Sequence, residues 1–243
     1  MSLKKLLFTL LLLPSLGANA TLISNIDNFN NRTFLSGLGH DGYVVNGPLD
    51  PAPGLQFVDA TETYGQTFTV GNDSILDSFS FFLANNQNDV FIDFAVYLMA
   101  WDGDKAEGPV LFESSPLSTA NVAGARQFDL FSVMTNSLAL ETGREYVAFL
   151  STSAFFDPNV SEDTAPRSVS VGGVNGNSYT EGRAVFINND GDFASLTSQT
   201  WNGFSNDFAF SLEFSPTEVP EPSALALFGL ALAGMAIRRR KTK

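Results

Sequence analysis

Residues 207–214 read DFAFSLEF and carry the clearest strand pattern of the chain. Small or polar residues alternate there with large apolar ones, which occupy every second position: Phe208, Phe210, Leu212 and Phe214. Successive side chains of a β-strand point to opposite faces, so this spacing predicts a strand with one face buried. A fold that can bury such a face needs a second layer packed against it.

Eight further stretches have strand character and are separated by turn pairs such as NG, DG and GG. They are residues 66–70, 76–83, 90–101, 110–113, 127–131, 146–151, 168–171 and 183–187. No convincing amphipathic helix lies between residues 21 and 215. The pattern therefore predicts an all-β domain over residues 21–215, a two-sheet antiparallel sandwich of jelly-roll type. Residues 21–60 have weaker patterns, and we expect an N-terminal strand with long loops there.

The composition favours a core built from phenylalanine. The 243 residues include 23 Phe, two Trp and five Tyr, and 44% of the chain is hydrophobic. Phe favours strands and buried positions. The chain has no cysteine, so packing has to supply the stability that disulfides would give in an oxidising compartment.

The stretch VFIDFAVYLMAW at residues 90–101 predicts the central strand. One face is entirely apolar and is expected to point inward: Val90, Ile92, Phe94, Val96 and Leu98. The other face begins with Asp93 and ends with Trp101, and the charge indicates shallower burial on that side.

The N-terminal residues MSLKKLLFTLLLLPSLGANA have the three parts of a secretory signal: a basic start, a short apolar run and a small-residue site at Ala18-Asn19-Ala20. The apolar run is too short to cross a bilayer as a helix. Residues 1–20 are thus predicted to form a signal helix that is cleaved to leave Thr21 as the mature terminus.

The C-terminal residues VPEPSALALFGLALAGMAIRRRKTK also have three parts. Pro220 and Pro222 hold the backbone around Glu221 extended. Residues 223–237 predict a short single transmembrane helix of about 22 Å, and the basic residues after it are expected to stay cytoplasmic. Residues 21–222 would then lie outside the membrane, in agreement with the N-terminal signal.

This tail resembles the PEP-CTERM sorting signal, in which a Pro-Glu-Pro box, a short helix and an Arg-rich end mark a protein for an exosortase. The resemblance implies that the recognition box and the basic end are Pro220, Glu221, Pro222, Arg238, Arg239 and Arg240. It also implies removal of the tail during export. The predicted layout is a signal (1–20), the sandwich (21–215), a linker with the box (216–222), the helix (223–237) and a basic tail (238–243).

The middle of the chain, with stretches such as GQTFTV and FAVYLMAWDGDKAEGPVLFES, resembles the β-sandwich passengers of other PEP-CTERM proteins. The resemblance implies a fold and no particular chemistry. Residues 21–215 carry six basic and 24 acidic residues, a net charge of −18. Such a surface repels phosphate backbones and argues against nucleic-acid binding.

Catalytic motifs are missing from the sequence. The one histidine, His40, stands in GLGHDGY without a nucleophile elbow, a cysteine or an HExxH motif. A pair of carboxylates could hydrolyse glycosides, but with 24 acids a pair is no signal. We therefore expect a protein without enzymatic activity, and a polysaccharide hydrolase stays open as an alternative.

Two acidic turns are candidate calcium sites. Asp102 and Asp104 lie in DGDKAEGPVLFE, which fails as an EF-hand loop because Ala106 and Glu107 stand where a ligand and Gly are required. Asp190 and Asp192 lie in NNDGD at residues 188–192. Solvated hairpin turns are the simpler interpretation of both stretches.

Trp101 and Trp201 are candidate sugar-binding residues. Trp101 is followed directly by Asp102 and Asp104, and Trp201 by Asn202. An exposed aromatic ring beside carboxylates and amides suits a sugar, which stacks on the ring and hydrogen-bonds through its hydroxyls. Both Trp side chains could instead cover the edge of the core. We expect a cell-surface or exopolysaccharide-matrix protein that binds carbohydrate, or a structural or adhesive matrix protein without a glycan ligand.

Overall fold

A computed structural model of the protein describes residues 20–30, 34–39, 61–85, 92–121, 127–155, 168–189 and 191–216. Within these ranges the chain forms fourteen β-strands, four 3₁₀ helices and no α-helix. The strands are β1 Thr21–Ser24, β2 Phe34–Gly39, β3 Thr63–Thr69, β4 Ile75–Asn85, β5 Asp93–Trp101, β6 Ala106–Glu113, β7 Leu117–Ser118, β8 Asp129–Ala139, β9 Glu145–Ser151, β10 Ser168–Val174, β11 Ala184–Ile187, β12 Asn202–Gly203, β13 Asp207–Phe208 and β14 Phe210–Ser215. The 3₁₀ helices are Ile26–Asn28, Thr119–Asn121, Ser153–Phe155 and Phe193–Thr197.

The strands form two antiparallel sheets of seven strands each, as the sequence predicts. In the first sheet the order is β1-β14-β4-β10-β13, with β8 on the other edge of β4 and β2 on the other edge of β10. In the second sheet the order is β12-β11-β3-β9-β5-β6, with β7 beside the start of β5. The two-layer sandwich is thereby confirmed, and its finer assignment to the jelly-roll type stays a prediction.

The octapeptide at residues 207–214 forms β13 and β14, which are separated at Ala209. The Ala209 N–H donates to the carbonyl of Gly172. The alternation holds through the interruption, because the four large apolar side chains are at most 1% exposed: Phe208, Phe210, Leu212 and Phe214. They face the second sheet, where Phe208 meets Tyr64 edge to face at 5.8 Å and Phe214 meets Phe68 at 6.2 Å.

Phenylalanine dominates the core between the sheets, as the composition predicts. Ring contacts join the layers along their whole width, with Phe79 of β4 against Phe112 of β6 and Phe94 of β5 against Phe131 of β8. The predicted inward face of β5 is confirmed for Ile92, Phe94, Val96 and Leu98, all of which belong to this core. Val90 lies outside the described residues.

The opposite face of the second sheet corrects a prediction. Asp93 is exposed, but the following side chains of that face are not shallow: Ala95, Tyr97, Met99 and Trp101 are at most 4% exposed. They form a second apolar cluster with side chains of β9 and β11. The segment of residues 191–201 crosses this face and covers it with Leu196 and Trp201, and Phe193 packs at its margin. A single charge at the start of β5 could not reveal this cover, since the covering segment is distant in sequence.

The strand registers place the start and the end of the domain at the same end of the sandwich. Thr21 pairs with Phe214, and Ser215 pairs with Ile75. The turn between β5 and β6 lies at this end too, because Ala100 and Thr69 pair with the first residues of β9. We call it the chain-exit end. Residues 188 and 189, which follow β11, lie at the opposite end, where Ile187 pairs with Thr63.

Both termini fall outside the described residues. Residues 1–19 and 217–243 hold most of the predicted signal, the sorting box and the predicted membrane helix. Within the part of the chain that the structure describes, no helix has the length and apolar character needed to cross a membrane.

Gly65 of β3 gives a test of the second apolar cluster. A Cβ atom at this position would lie 2.7 Å from Val147 Cγ2 and 3.0 Å from Phe149 Cβ, so Gly65→Ala overpacks the cluster. We expect a loss of about 1–3 kcal/mol in the free energy of unfolding, measured by urea denaturation. Gly71→Ala is the matched control, since a Cβ there meets nothing within 4 Å. Equal stability of the two variants would contradict the packing described.

Candidate functional site

The two tryptophans come together at the chain-exit end of the second sheet. Their rings meet edge to face with centroids 5.5 Å apart, and the Trp201 ring also packs against Phe149 at 5.5 Å. The indole N–H of Trp201 donates to the carbonyl of Leu196 at 2.9 Å. Trp101 is 4% exposed and Trp201 3%. The expectation of exposed stacking rings is therefore wrong, because each ring completes the cover of the outer cluster.

The turn after Trp101 is held by its own carboxylate. Asp102 Oδ1 accepts the backbone N–H groups of Asp104 and Lys105, each at 2.9 Å. Gly103 between them has a φ of 101°, a conformation that side chains with a Cβ rarely adopt. The N–H of Asp104 is the largest of several influences that lower the pKa of Asp102 below its ordinary value of 3.8. Asp102 thus acts as the acceptor of an Asx turn.

Arg183 joins this turn from β11's side of the sheet. Its Nη2 donates to the carbonyl of Gly103 at 2.8 Å, while the backbone N–H of Trp201 donates to the carbonyl of Asp104 at 2.9 Å. Gly182 permits this arrangement, since a Cβ there would lie 1.9 Å from the carbonyl oxygen of Thr67. The Cδ and Nη1 atoms of Arg183 lie 3.6 Å from the position that a Cβ on Gly203 would occupy.

The result is an exposed polar surface above the buried tryptophan pair. It consists of side chains that are all exposed: Asp102, Asp104, Arg183 and Asn202. We call these four residues the polar patch. Carboxylates accept, guanidinium donates and the amide does both, so the patch can bind a ligand rich in hydroxyl groups. Three members of the patch, Asp102, Asp104 and Asn202, were predicted from the sequence. Arg183 was not, because it lies 80 residues after Gly103 in the chain and no local pattern links the two.

The second acidic turn surrounds a buried glutamate. Glu62 is fully buried, and its carboxylate accepts the N–H of Gly191 at 2.9 Å and of Asn189 at 3.2 Å. Asp192 Oδ1 accepts the N–H of Ala194 and caps the 3₁₀ helix Phe193–Thr197. These two backbone N–H groups converge on the buried side chain and supply it with hydrogen-bond partners. Glu62 was not a sequence candidate, because one acid before a strand has no distinguishing pattern.

These contacts show which oxygen atoms of the two acidic turns are already engaged and are therefore less available to a calcium ion. Among the described residues no group of three His, Cys, Asp or Glu side chains could hold a metal ion. In the first turn, Asp102 Oδ1 and the carbonyls of Gly103 and Asp104 already accept protein hydrogen bonds. In the second turn, Asp192 serves as a helix cap, while Asp190 lies outside the described residues. Both turns have a structural role that needs no cation, and calcium at either stays a prediction.

A buried polar network joins the sheets near β13. Asp207 is 1% exposed and accepts the backbone N–H of Tyr179 at 2.8 Å, the hydroxyl of Ser178 and the amide of Gln66. Asn25 completes it by donating to the carbonyl of Phe208 and accepting from the N–H of Phe210. These contacts satisfy backbone, amide and hydroxyl groups that would otherwise be buried without partners, which marks the network as structural. His40 lies outside the described residues.

Comparison with known proteins assigns the C-terminal segment. The PEP-CTERM protein-sorting motif matches residues 218–241. The chain therefore carries a PEP-CTERM sorting motif at its C-terminal end and a β-sandwich in its described part, and the resemblance of the tail seen in the sequence is confirmed. The motif implies processing by an exosortase, export, and a cell-surface or extracellular location. No curated protein sequence gives a significant match.

Two solved structures are distantly similar to the chain. One contains the cysteine protease and lectin-like domains of Cwp84, a surface-layer-associated protein of Clostridium difficile, with 14% identity and a TM-score of 0.39. The other is the clostridial protease Cwp84 after propeptide cleavage, with 15% identity and a TM-score of 0.38. Each match covers 65% of this chain, which spans only 33% and 36% of those two chains.

The Asx turn gives a prediction about pH. The folded protein lowers the pKa of Asp102, so this carboxylate contributes stability above its unfolded pKa and loses that contribution as the pH falls through the lower folded value. Asp102→Asn keeps an oxygen acceptor without the titration, whereas Asp102→Ala removes the acceptor.

We expect the thermal midpoint of the wild type to converge on that of Asp102→Asn as the pH falls below about 4, with Asp102→Ala lower throughout. The midpoints can be followed by circular dichroism. Identical pH profiles of wild type and Asp102→Asn would disprove the role given to this carboxylate.

Proposed function

We propose that this protein is an exported, non-enzymatic component of the cell surface or exopolysaccharide matrix, and that its β-sandwich binds extracellular polysaccharide. The sorting motif at residues 218–241 supports the proposed location at the cell surface or in the matrix. The polar patch supports the choice of ligand, since four exposed hydrogen-bonding side chains stand on hydrogen-bonded turns there. Rigid placement of polar groups lowers the ordering cost of binding a ligand.

In the proposed export route, the protein is first anchored in the membrane. The helix of residues 223–237 holds the exported chain until the exosortase removes the tail. Residues 216–222 can span at most about 25 Å when fully extended. Because Ser215 lies at the chain-exit end, that end would face the membrane during anchoring. The polar patch lies at the same end, so release would expose it to the matrix.

The absence of an exposed tryptophan changes how the ligand would be recognised. Trp101 and Trp201 support the patch from below and would not stack on a sugar. Recognition would then depend on hydrogen bonds to Asp102, Asp104, Arg183 and Asn202. The three cationic side chains in the described part of the chain, Lys105, Arg144 and Arg183, all lie in turns at this end. Because Arg144 is already paired with Glu107 and Glu141, Arg183 is the cation that offsets part of the negative charge of Asp102 and Asp104 at the patch.

The sorting step can be tested on the box. Replacing Pro220 and Pro222 together by Ala frees the backbone around Glu221, and we expect the protein to accumulate as an unprocessed membrane-bound precursor. Immunoblots of membrane and released fractions measure this. Pro216→Ala, outside the box, is the control and should be processed normally. Normal release of the box variant would refute exosortase recognition of these residues.

The ligand can be tested by a glycan-binding screen that includes the exopolysaccharide of the producing cell. We expect binding with and without calcium, because the turn oxygens already accept N–H groups. Combined Arg183→Ala and Asn202→Ala should weaken binding at least about tenfold, the loss of one charge-assisted hydrogen bond or more.

Arg144→Ala is the matched control for that variant. Arg144 lies at the same end, but its guanidinium is engaged by Glu107 at 3.6 Å and Glu141 at 3.2 Å. Its removal should leave glycan binding unchanged. No binding to any glycan would exclude the proposed ligand class and leave the structural or adhesive alternative, for which deletion of the protein should reduce cell aggregation.

A further inference from the structure

Exposed apolar side chains concentrate on one side of the sandwich. Five large apolar residues are exposed within the described ranges, and four of them lie on the edge strands β6 and β8: Val110 (37%), Leu111 (38%), Leu130 (49%) and Met134 (63%). The two strands lie on the same side, since Phe112 of β6 and Phe131 of β8 both reach the core there. Exposed apolar side chains that are grouped on one side of a domain are candidates for an interaction site.

β8 offers a regular edge for strand pairing. One edge pairs with β4, and no strand of the described ranges pairs with the other. Residues 129–134 lie in unbroken register with residues 83–78 of β4. The left-handed residues Asn136 and Ser137, with φ of 56° and 59°, interrupt the ladder after that. A straight unpaired edge is a template for another strand.

Charge decides which strand could pair with a second copy of the chain. Two copies, each with a net charge of −18 over residues 21–215, repel one another, so a stable contact needs uncharged surface. Residues 130–140 contain no charged side chain. β6 has Glu107 and Glu113 at its two ends, and an antiparallel pair of β6 strands centred on Val110 would place these carboxylates opposite each other. Gly108 and Pro109 further weaken that edge.

We propose that two copies of the protein associate through antiparallel pairing of β8 with β8, about a two-fold axis at Ser132. In this register Leu130 of one copy lies opposite Met134 of the other on the outer face, and Phe131 lies opposite Val133 on the core face. Asp129 lies opposite Thr135, which keeps the two carboxylates about 20 Å apart along the strands. The first sheets of the two copies then form one continuous sheet.

The absence of cysteine allows a direct test on the full chain in detergent. Directly opposite residues of an antiparallel pair have Cβ atoms close enough for a disulfide. Ser132→Cys should therefore give a disulfide-linked dimer, with formation at least about tenfold faster than for Leu111→Cys on the β6 edge. Non-reducing gels measure the rate.

The register gives a sharper discrimination. Leu130→Cys alone should cross-link as slowly as Leu111→Cys, because the two copies of residue 130 lie about 14 Å apart in this pairing. The double variant Leu130→Cys with Met134→Cys should cross-link rapidly. Equal rates for the residue 132 and residue 111 variants, or a fast reaction of Leu130→Cys alone, would overturn the proposed pairing.

A second measurement does not depend on cysteine. Sedimentation in detergent should show a dimer for the wild type and for Leu111→Lys, and a monomer for Met134→Lys, whose charge faces the apolar contact. A dimer that persists in Met134→Lys would indicate association through the C-terminal segment and overturn the inference. Thermal unfolding of each variant checks that the sandwich is intact. None of these results depends on glycan binding.

Discussion

The burial of aromatic side chains between the two sheets is the constraint on which the rest of the structure depends. Each fully buried Phe contributes about 1.5–3 kcal/mol relative to exposure, and the chain has neither disulfides nor long helices in its described part to replace that contribution. Edge-to-face contacts such as Tyr64 with Phe208 fix how the layers sit on each other. The strand registers then determine which turns share an end.

The segment that crosses the outer face of the second sheet has the next largest effect. It carries Leu196 and Trp201 over β9 and β5 and returns to the turn after β5, where the Trp201 N–H meets Asp104. This single crossing buries both tryptophans and immobilises the turn of Asp102. It also leaves hydrogen-bonding groups, and no tryptophan ring, on the surface at the chain-exit end.

The sequence predicted the strands well because each is short, alternating and bounded by turn residues. All nine predicted stretches correspond to observed strands, although several ends differ: β8 runs to Ala139 and β6 begins at Ala106. The stretch of residues 207–214 is divided at Ala209, and the nine stretches did not include β2, β7 and β12. The candidate site was predicted less well. Asp102, Asp104, Trp101, Trp201 and Asn202 do come together, but the burial of the two rings and the arrival of Arg183 depend on contacts between segments far apart in sequence.

The sequence by itself determined the fold class and the sorting motif of the protein. Alternation with a period of two and the three-part tail are local patterns, which are legible without knowing what packs against them. The tertiary structure alone decided which faces are covered, since burial is a property of distant segments meeting. In the tertiary structure, both faces of the strand that begins at Asp93 are buried. Glu62 accepts hydrogen bonds from the backbone of residues 189 and 191. One edge of β8 is not paired with any of the described strands.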